Sequence, residues 1–534
     1  MEERPVKKEN QPKQRKRWKK VLLIILCIVL VLLLAGFLIL RSIFMQPSIP
    51  AATGDDRTIV ETANGKIRGS LTDSVYQYLG IPYAEAKERF TPAAPVQPWS
   101  GVLDANAVGA MSPQSGMLGM SAGNQDGTDN NCQNLNIWTP GIMDGQKRAV
   151  MVWLHGGGFS TGSANQELYS GKDLSASGDV VVVSVNHRLG VAGFLDLSAY
   201  GEKYRYSGNA GLTDLVQALE WIHENIAAFG GDPENVTLFG QSGGGAKVLA
   251  LMTTPYAKGL FQKGIVQSGA TETMGVTFTQ KEVSADLTAE VLAQLNIQPD
   301  DIEALQTLDW QTLESASQQA LRRTAEKYQI PAPLSSGYAM EWGPVVEGDY
   351  LPTNPVTADS FAENGKDVAL LIGSNLNEWT MMMGGNQGKL SEEAVQAFQA
   401  AYPTKEASRA NRVDTLIRLP MLKIMSHKAD QLGAPVYAYV FTWNPGLRGA
   451  YHGAEIPFVF HHAQRSQAAQ QLADRMSQAW VNFAKTGVPS AEGLPEWEPY
   501  TRDSGATMLL DETPALVHHH DEKLMQLLAP EYVY

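Results

Sequence analysis

One serine in this 534-residue chain stands in a setting suited to nucleophilic attack. Gly240-Gln241-Ser242-Gly243-Gly244 follows Asn235-Val236-Thr237-Leu238-Phe239, a β-branched and aromatic run that predicts a strand. It precedes Gly245-Ala246-Lys247-Val248-Leu249-Ala250-Leu251-Met252, which predicts a helix start. A strand that reverses into a helix within one residue strains the serine backbone and crowds its neighbours, which must then lack side chains. The hydroxyl is left exposed at the tip of a sheet. The first free N–H groups of the helix lie beside it and can stabilise a developing oxyanion. The pentapeptide alone also suits an ordinary glycine-rich loop, so a base, an orienting acid and further oxyanion donors must come from elsewhere in the chain.

His155-Gly156-Gly157-Gly158-Phe159 follows an apolar run ending at Leu154. Successive glycines let the backbone approach a substrate and aim N–H groups at one point, so Gly157 and Gly158 join Gly243 as candidate oxyanion donors. Losing one such donor typically costs about 3 kcal/mol of transition-state stabilisation. No Gly-Lys-Ser/Thr follows, so a phosphate-binding loop is unsupported. Of ten histidines, His452 is favoured as general base by its loop position after a strand and the glycine that follows. His187, His223, His427, His461 and His462 read as surface or core residues, and His518-His519-His520 as a solvated run, with weak metal chelation as its alternative. The acid falls between nucleophile and base if the order is Ser, Asp/Glu, His. Glu378, in the loop after Leu371-Ile372-Gly373, fits, with Asp349 and Asp367 as rivals.

The elements that must hold these residues alternate between strand and helix. Ala149–Leu154 and Asp179–Val185 are continuous apolar runs, suited to strands buried on both faces of a parallel sheet. Further strands are expected at Val75–Leu79, Lys263–Gln267, Val368–Ile372 and Val436–Phe441, and a hairpin with an Asn64-Gly65 turn over Ile59–Gly69. Helical spacing runs over Leu212–Phe229, Lys281–Lys327 and Ala469–Phe483. The fold class is α/β, with a large, mostly parallel central sheet flanked by helices.

Composition is ordinary for a globular protein, 44% hydrophobic and 18% charged. Residues 1–20 form a basic tail. They precede an uncharged apolar stretch, Val21–Leu40, that is long enough to cross a bilayer's hydrocarbon core. We read 1–20 as a cytoplasmic tail, 21–40 as a transmembrane signal anchor, 41–57 as a linker and 58–534 as one domain. The positive-inside bias places that domain outside the cytoplasm, periplasmic or extracellular, or secreted if the segment is cleaved. The formal charge of −14 over the whole chain, despite the basic tail, makes the body strongly acidic and argues against nucleic acid as a ligand. Cys27 lies in the apolar stretch and cannot readily pair with Cys132, so the body has no internal disulfide.

Taken together, these segments resemble the type-B carboxylesterase family. The likeness rests on Gly80-Ile81-Pro82-Tyr83-Ala84, Leu135–Pro140, His155–Phe159, Asn186-His187-Arg188-Leu189-Gly190, Gly208–Asp214, Phe229–Pro233, the serine turn, Gln267-Ser268-Gly269, Pro344–Gly348, Gly373–Glu378 and His452–Pro457. The resemblance implies an α/β-hydrolase fold and a serine carboxylesterase with a Ser242–Glu378–His452 triad. It also implies an oxyanion hole from Gly157, Gly158 and Gly243, a supporting serine at Ser268, and no metal or organic cofactor. The expected partners are a small-molecule ester and, through the N-terminal helix, a membrane. A non-enzymatic adhesion or receptor ectodomain on the same fold is the alternative, as is amide or thioester hydrolysis by the same groups.

Four departures from the family pattern stand out. Gln241 replaces the glutamate often found before the serine. Ser112 stands where the usual partner of Cys132 would fall. The 112–132 loop lacks tryptophan, which disfavours choline esters. Trp379 replaces the glycine that usually follows the triad acid.

Overall fold

A computed structural model describes residues 47–114, 127–332, 337–358, 360–380, 390–443, 446 and 449–534. The chain divides into two units, Met1–Ser48 and Ile49–Tyr534. The first lies almost wholly outside the described residues, and with it the predicted anchor at 21–40. Among the described residues, no helix is long and apolar enough to cross a membrane.

The second unit is built on an eleven-stranded sheet. Its strands are β1 (Ser70–Thr72), β2 (Val75–Pro82), β3 (Asn134–Thr139), β4 (Arg148–Leu154), β5 (Val181–Val185), β6 (Gly231–Gln241), β7 (Lys263–Gln267), β8 (Ala369–Asn375), β9 (Val436–Phe441), β10 (Ala506–Leu510) and β11 (Ala515–His518). The spatial order is β11-β10-β9-β8-β7-β6-β4-β5-β3-β2-β1. Strands β4 to β10 are mutually parallel, and antiparallel strands finish both edges. Every residue of β4, β5, β7, β8 and β9 is buried, as the continuous apolar runs require of strands covered on both faces.

Helices α1 (Ala210–Asn225), α2 (Gly243–Thr253), α3 (Lys281–Leu295), α4 (Trp310–Tyr328), α5 (Arg418–Asp430) and α6 (Gln467–Thr486) accompany the sheet. Between the sheet and α6, Trp153 and Phe239 pack edge-on at 4.9 Å, and Trp153 meets Phe460 at 5.0 Å. Such pairs add about 0.5–1.5 kcal/mol each beyond area burial.

Two readings of the sequence change. The helical stretch expected over Lys281–Lys327 is two helices. Asn296 closes α3 in the left-handed conformation at φ 55°, Pro299 follows, and the Asp309 side chain caps α4 by accepting from the Thr312 N–H. The histidine run is only partly solvated. His518 pairs with Glu498, whereas the His520 side chain is only 6% exposed and lies edge-on to Tyr402, where desolvation pushes it down to about 4. The Asn64-Gly65 hairpin forms as expected, pairing Thr62 with Gly65. Cys132 is a free, buried thiol.

Candidate active site

Parallel register brings one end of the sheet together. Gly240 pairs with Leu154, Gln241 with Gln267, and Gln267 with Gly373. The segments leaving β4, β6, β7, β8 and β9 therefore emerge on the same edge, where open α/β sheets place their ligands. Those segments carry His155–Phe159, Ser242, Ser268, Glu378 and His452.

Ser242 sits between β6 and α2 at φ 56°, ψ −130°, a conformation that costs a non-glycine residue on the order of 1–3 kcal/mol. Its N–H donates to the Gln267 carbonyl at 2.8 Å, so the neighbouring strand holds the turn in place. The flanking glycines are obligatory because a Cβ on Gly240 would strike Gly244, and one on Gly244 would strike the Leu154 carbonyl. Ser242 itself is half-buried, its hydroxyl set at the start of α2.

His452 Nδ1 lies 2.6 Å from Glu378 Oε2. The other carboxylate oxygen accepts the Asn375 N–H at 2.6 Å, and the Glu378 carbonyl accepts the His452 N–H at 3.1 Å. The acid is thus held at both ends, in a left-handed backbone at φ 33°. The ring's Nε2 faces Gln241 Nε2 at 3.1 Å, and the indole of Trp379 lies over the ring at 4.4 Å. The Ser242 hydroxyl does not bond to His452 in this conformation; the amide of its neighbour occupies that nitrogen. The rival acids are elsewhere. Asp349 pairs with Arg205 at 2.7 Å and accepts from Tyr206, and Asp367 is exposed before β8, at the opposite end of that strand.

The glycine loop supplies donors. Among the described residues, the N–H groups of Gly157, Gly158 and Gly243 make no hydrogen bond, and a Cβ on Gly243 would strike the Gly158 backbone. Lys247, fully buried on α2, fastens this loop. Its Nζ donates to the His155 carbonyl at 2.9 Å and the Gly158 carbonyl at 2.8 Å. Burial pushes that amine down to about 7. His155 is pushed down to about 3 by burial and by the charge of Lys247, and His187 is lowered for the same reasons. Both are neutral packing residues.

Sequence reasoning missed several neighbours. Glu455 is fully buried behind the pair, accepting from Gln267 at 3.2 Å and from Asn375 at 2.5 Å. Asp414 is buried nearby and caps the start of α5 through the Ile417 N–H at 2.8 Å. Burial first, and then the charge of Glu378, push both carboxyls above the ordinary range. Glu455 was visible as the acid three residues after His452, and Lys247 as the one charge in an apolar helix; Asp414 had no local signal. Ser268 is buried beside the site at φ 48°, its N–H on the Gly373 carbonyl. Among the described residues, no group of three or more His, Cys, Asp or Glu is placed to hold a metal ion.

A strained serine ahead of a helix, a histidine–carboxylate pair and three free backbone donors on the edge of a parallel sheet define the class as a serine hydrolase of the α/β-hydrolase fold. The sequence pattern of the carboxylesterase family matches residues 56–413 and 403–527. The chain belongs to that family and is a carboxylic ester hydrolase. It is 35% identical over 503 residues to the para-nitrobenzyl esterase of Bacillus subtilis (strain 168), covering 88% of this chain and 98% of that one. It is 31% identical to the phenmedipham hydrolase of Pseudarthrobacter oxydans, covering 86% and 96%. Among solved structures, it is similar to an esterase from Clostridium hathewayi described as hydrolysing aliphatic aromatic polyesters. There the TM-score is 0.79 and the identity 33%, with 92% of this chain and all of that one covered.

Proposed function

We propose that Ser242 is the nucleophile, His452 the general base and Glu378 its orienting acid. The observation that carries this reading is the 2.6 Å contact between Glu378 and His452, whose ring meets at its other nitrogen, 3.1 Å away, the amide of Gln241, the residue before the strained Ser242. As the Ser242 hydroxyl attacks an ester carbonyl, Nε2 of His452 takes its proton, and Glu378 holds the tautomer and stabilises the imidazolium. The carbonyl oxygen, now anionic, is received by the N–H groups of Gly157, Gly158 and Gly243. His452 then protonates the leaving alcohol, and water, activated by the same ring, releases the acid. For Nε2 to reach Ser242, the Gln241 amide must yield its place; substrate in the cleft supplies the occasion, since such bonds tighten in the loaded enzyme. Ser242→Ala should abolish both fluorophosphonate labelling and turnover of a short-chain nitrophenyl ester. Labelling at the parent rate would refute the assignment.

The same reading places the enzyme on a membrane through Val21–Leu40, with the catalytic unit outside the cytoplasm. Protease accessibility in cells stripped of any outer envelope, so that the outer face of the cytoplasmic membrane is open to protease, with membrane and soluble fractions compared, tests it. A catalytic unit that protease reaches only after lysis overturns the orientation.

A further inference from the structure

Gly158 has charged neighbours on two sides. On one, the Lys247 amine donates to its carbonyl. On the other, Glu341 Oε2 lies 2.9 Å from the point where a Cβ on Gly158 would sit. Glu341 belongs to the loop Met340-Glu341-Trp342-Gly343, which runs along the glycine loop. A Cβ on Gly343 would lie 3.6 Å from the Phe159 ring, and Trp342 Cδ1 is 3.9 Å from the corresponding point on Gly190. Trp342 is buried there, while Glu341 is open to solvent. Among the described residues, the Glu341 carboxylate has neither an ion pair nor a hydrogen bond, and Lys247 is committed to two carbonyls. Glu341 is still deep enough among protein atoms for desolvation to raise its carboxyl above the ordinary glutamate range.

An unpaired carboxylate there opposes the reaction. The N–H of Gly158 is one of the groups that receive the negative oxygen of the tetrahedral intermediate, and an ionised neighbour repels that charge. A positive group on the substrate, seated against Glu341, removes the repulsion and gains an attraction in a partly dehydrated recess. A neutral substrate leaves the penalty in place, and an anionic one adds to it.

We propose that Glu341 is a specificity-determining residue that selects esters carrying a cationic group close to the scissile carbonyl. This rests on the assignment of Gly158 to the oxyanion site. The cation can belong to the acyl or the alcohol half, since both flank the same carbonyl.

The experiment compares charged esters with their uncharged carbon isosteres. On the acyl side, nitrophenyl 4-(trimethylammonio)butanoate is set against nitrophenyl 5,5-dimethylhexanoate; on the alcohol side, choline butanoate against 3,3-dimethylbutyl butanoate. In the parent enzyme, kcat/KM should favour the cation by about tenfold in at least one pair. The favoured pair identifies the half of the substrate that lies against Glu341. Added salt should reduce the preference, because the carboxylate is open to solvent on one side. Glu341→Gln should bring the ratio close to one, and Glu341→Lys should invert it. Fluorophosphonate labelling of each variant shows that the serine and its fold are intact, and ratios are taken within each enzyme. A parent ratio near one in both pairs, or a ratio unchanged in Glu341→Gln, overturns the proposal. Loss of turnover with every ester in the parent overturns the hydrolytic assignment itself, a separately recognisable result.

Discussion

Gln241→Glu offers a direct test of the base. Gln241 stands where similar sequences often carry glutamate, and its amide is 3.1 Å from His452 Nε2. A carboxylate at that position stabilises the imidazolium and delays its deprotonation as the pH rises. Two unit charges about 4 Å apart at an effective dielectric of about 20 attract by about 4 kcal/mol. Position 241 is buried, so desolvation of the new carboxylate offsets part of that. Opposite charges at this range commonly shift a titration by about one to three units, each worth about 1.4 kcal/mol. The acid limb of kcat/KM for a neutral nitrophenyl ester should therefore move to higher pH by about one to two units, with the plateau largely retained. Gln241→Ala, which removes the amide without adding charge, should leave the limb close to the parent position. An unmoved limb in Gln241→Glu would mean that residue 241 does not face the base during turnover, and the hydrogen-bond arrangement described above would be wrong for the working enzyme.

Four further outcomes are expected. Trp379→Gly removes the indole that lies 4.4 Å from the His452 ring; with about 0.5–1 kcal/mol of cation–π support lost, kcat/KM should fall about two- to fivefold. Lys247→Met leaves the carbonyls of His155 and Gly158 without their donor, so the glycine loop proposed to hold the oxyanion loosens and kcat should drop more than KM rises, as steady-state kinetics on one ester will show. The same variant should alter the pH dependence of stability. The Lys247 amine is held at about 7 when folded and titrates near the ordinary lysine value of 10.5 when unfolded, so between those values the unfolded chain binds more protons and stability rises with pH; urea melts should show this rise diminished in Lys247→Met. Asp214→Asn breaks the bidentate pair with Arg188, buried at 1% and 0% side-chain exposure, and should cost about 3–5 kcal/mol, seen as a shortened half-life on heating.

The chain declared its sheet because strands buried on both faces must be apolar throughout. Ala149–Leu154 and Val436–Phe441 could be read directly for that reason, as could the turn at Ser242, whose glycines are demanded by backbone collisions. The break between α3 and α4 was harder to read because apolar spacing continues across Asn296 and Pro299, and only the capping geometry stops the first helix. Glu378 and His452 needed the family likeness, since a loop carboxylate and a loop histidine carry no local mark of being neighbours. Asp414 and Glu341 were invisible for a related reason. Their significance lies in what approaches them across the fold, Glu378 for the first and Gly158 for the second, and no spacing along the chain encodes either approach.

Those approaches also account for the neutral residue at 241. Glu378, Asp414 and Glu455 are all buried around one imidazole, and like charges at such range are not all ionised without large cost. The structure meets that cost by giving Glu455 two amide donors and Asp414 a helix start, while burial and the charge of Glu378 hold both carboxyls toward their protonated forms. Glutamate at 241 would add a fourth acid to this cluster, on the nitrogen to which we assign the serine proton. Glutamine keeps the shape and the hydrogen bond without the charge. In the proposed mechanism the base then answers to a single orienting carboxylate, and the buried Lys247 amine lies under the glycine loop that would receive the negative oxygen. On the proposed assignment, the charge on each side of the serine thus matches what that side would do during acyl transfer.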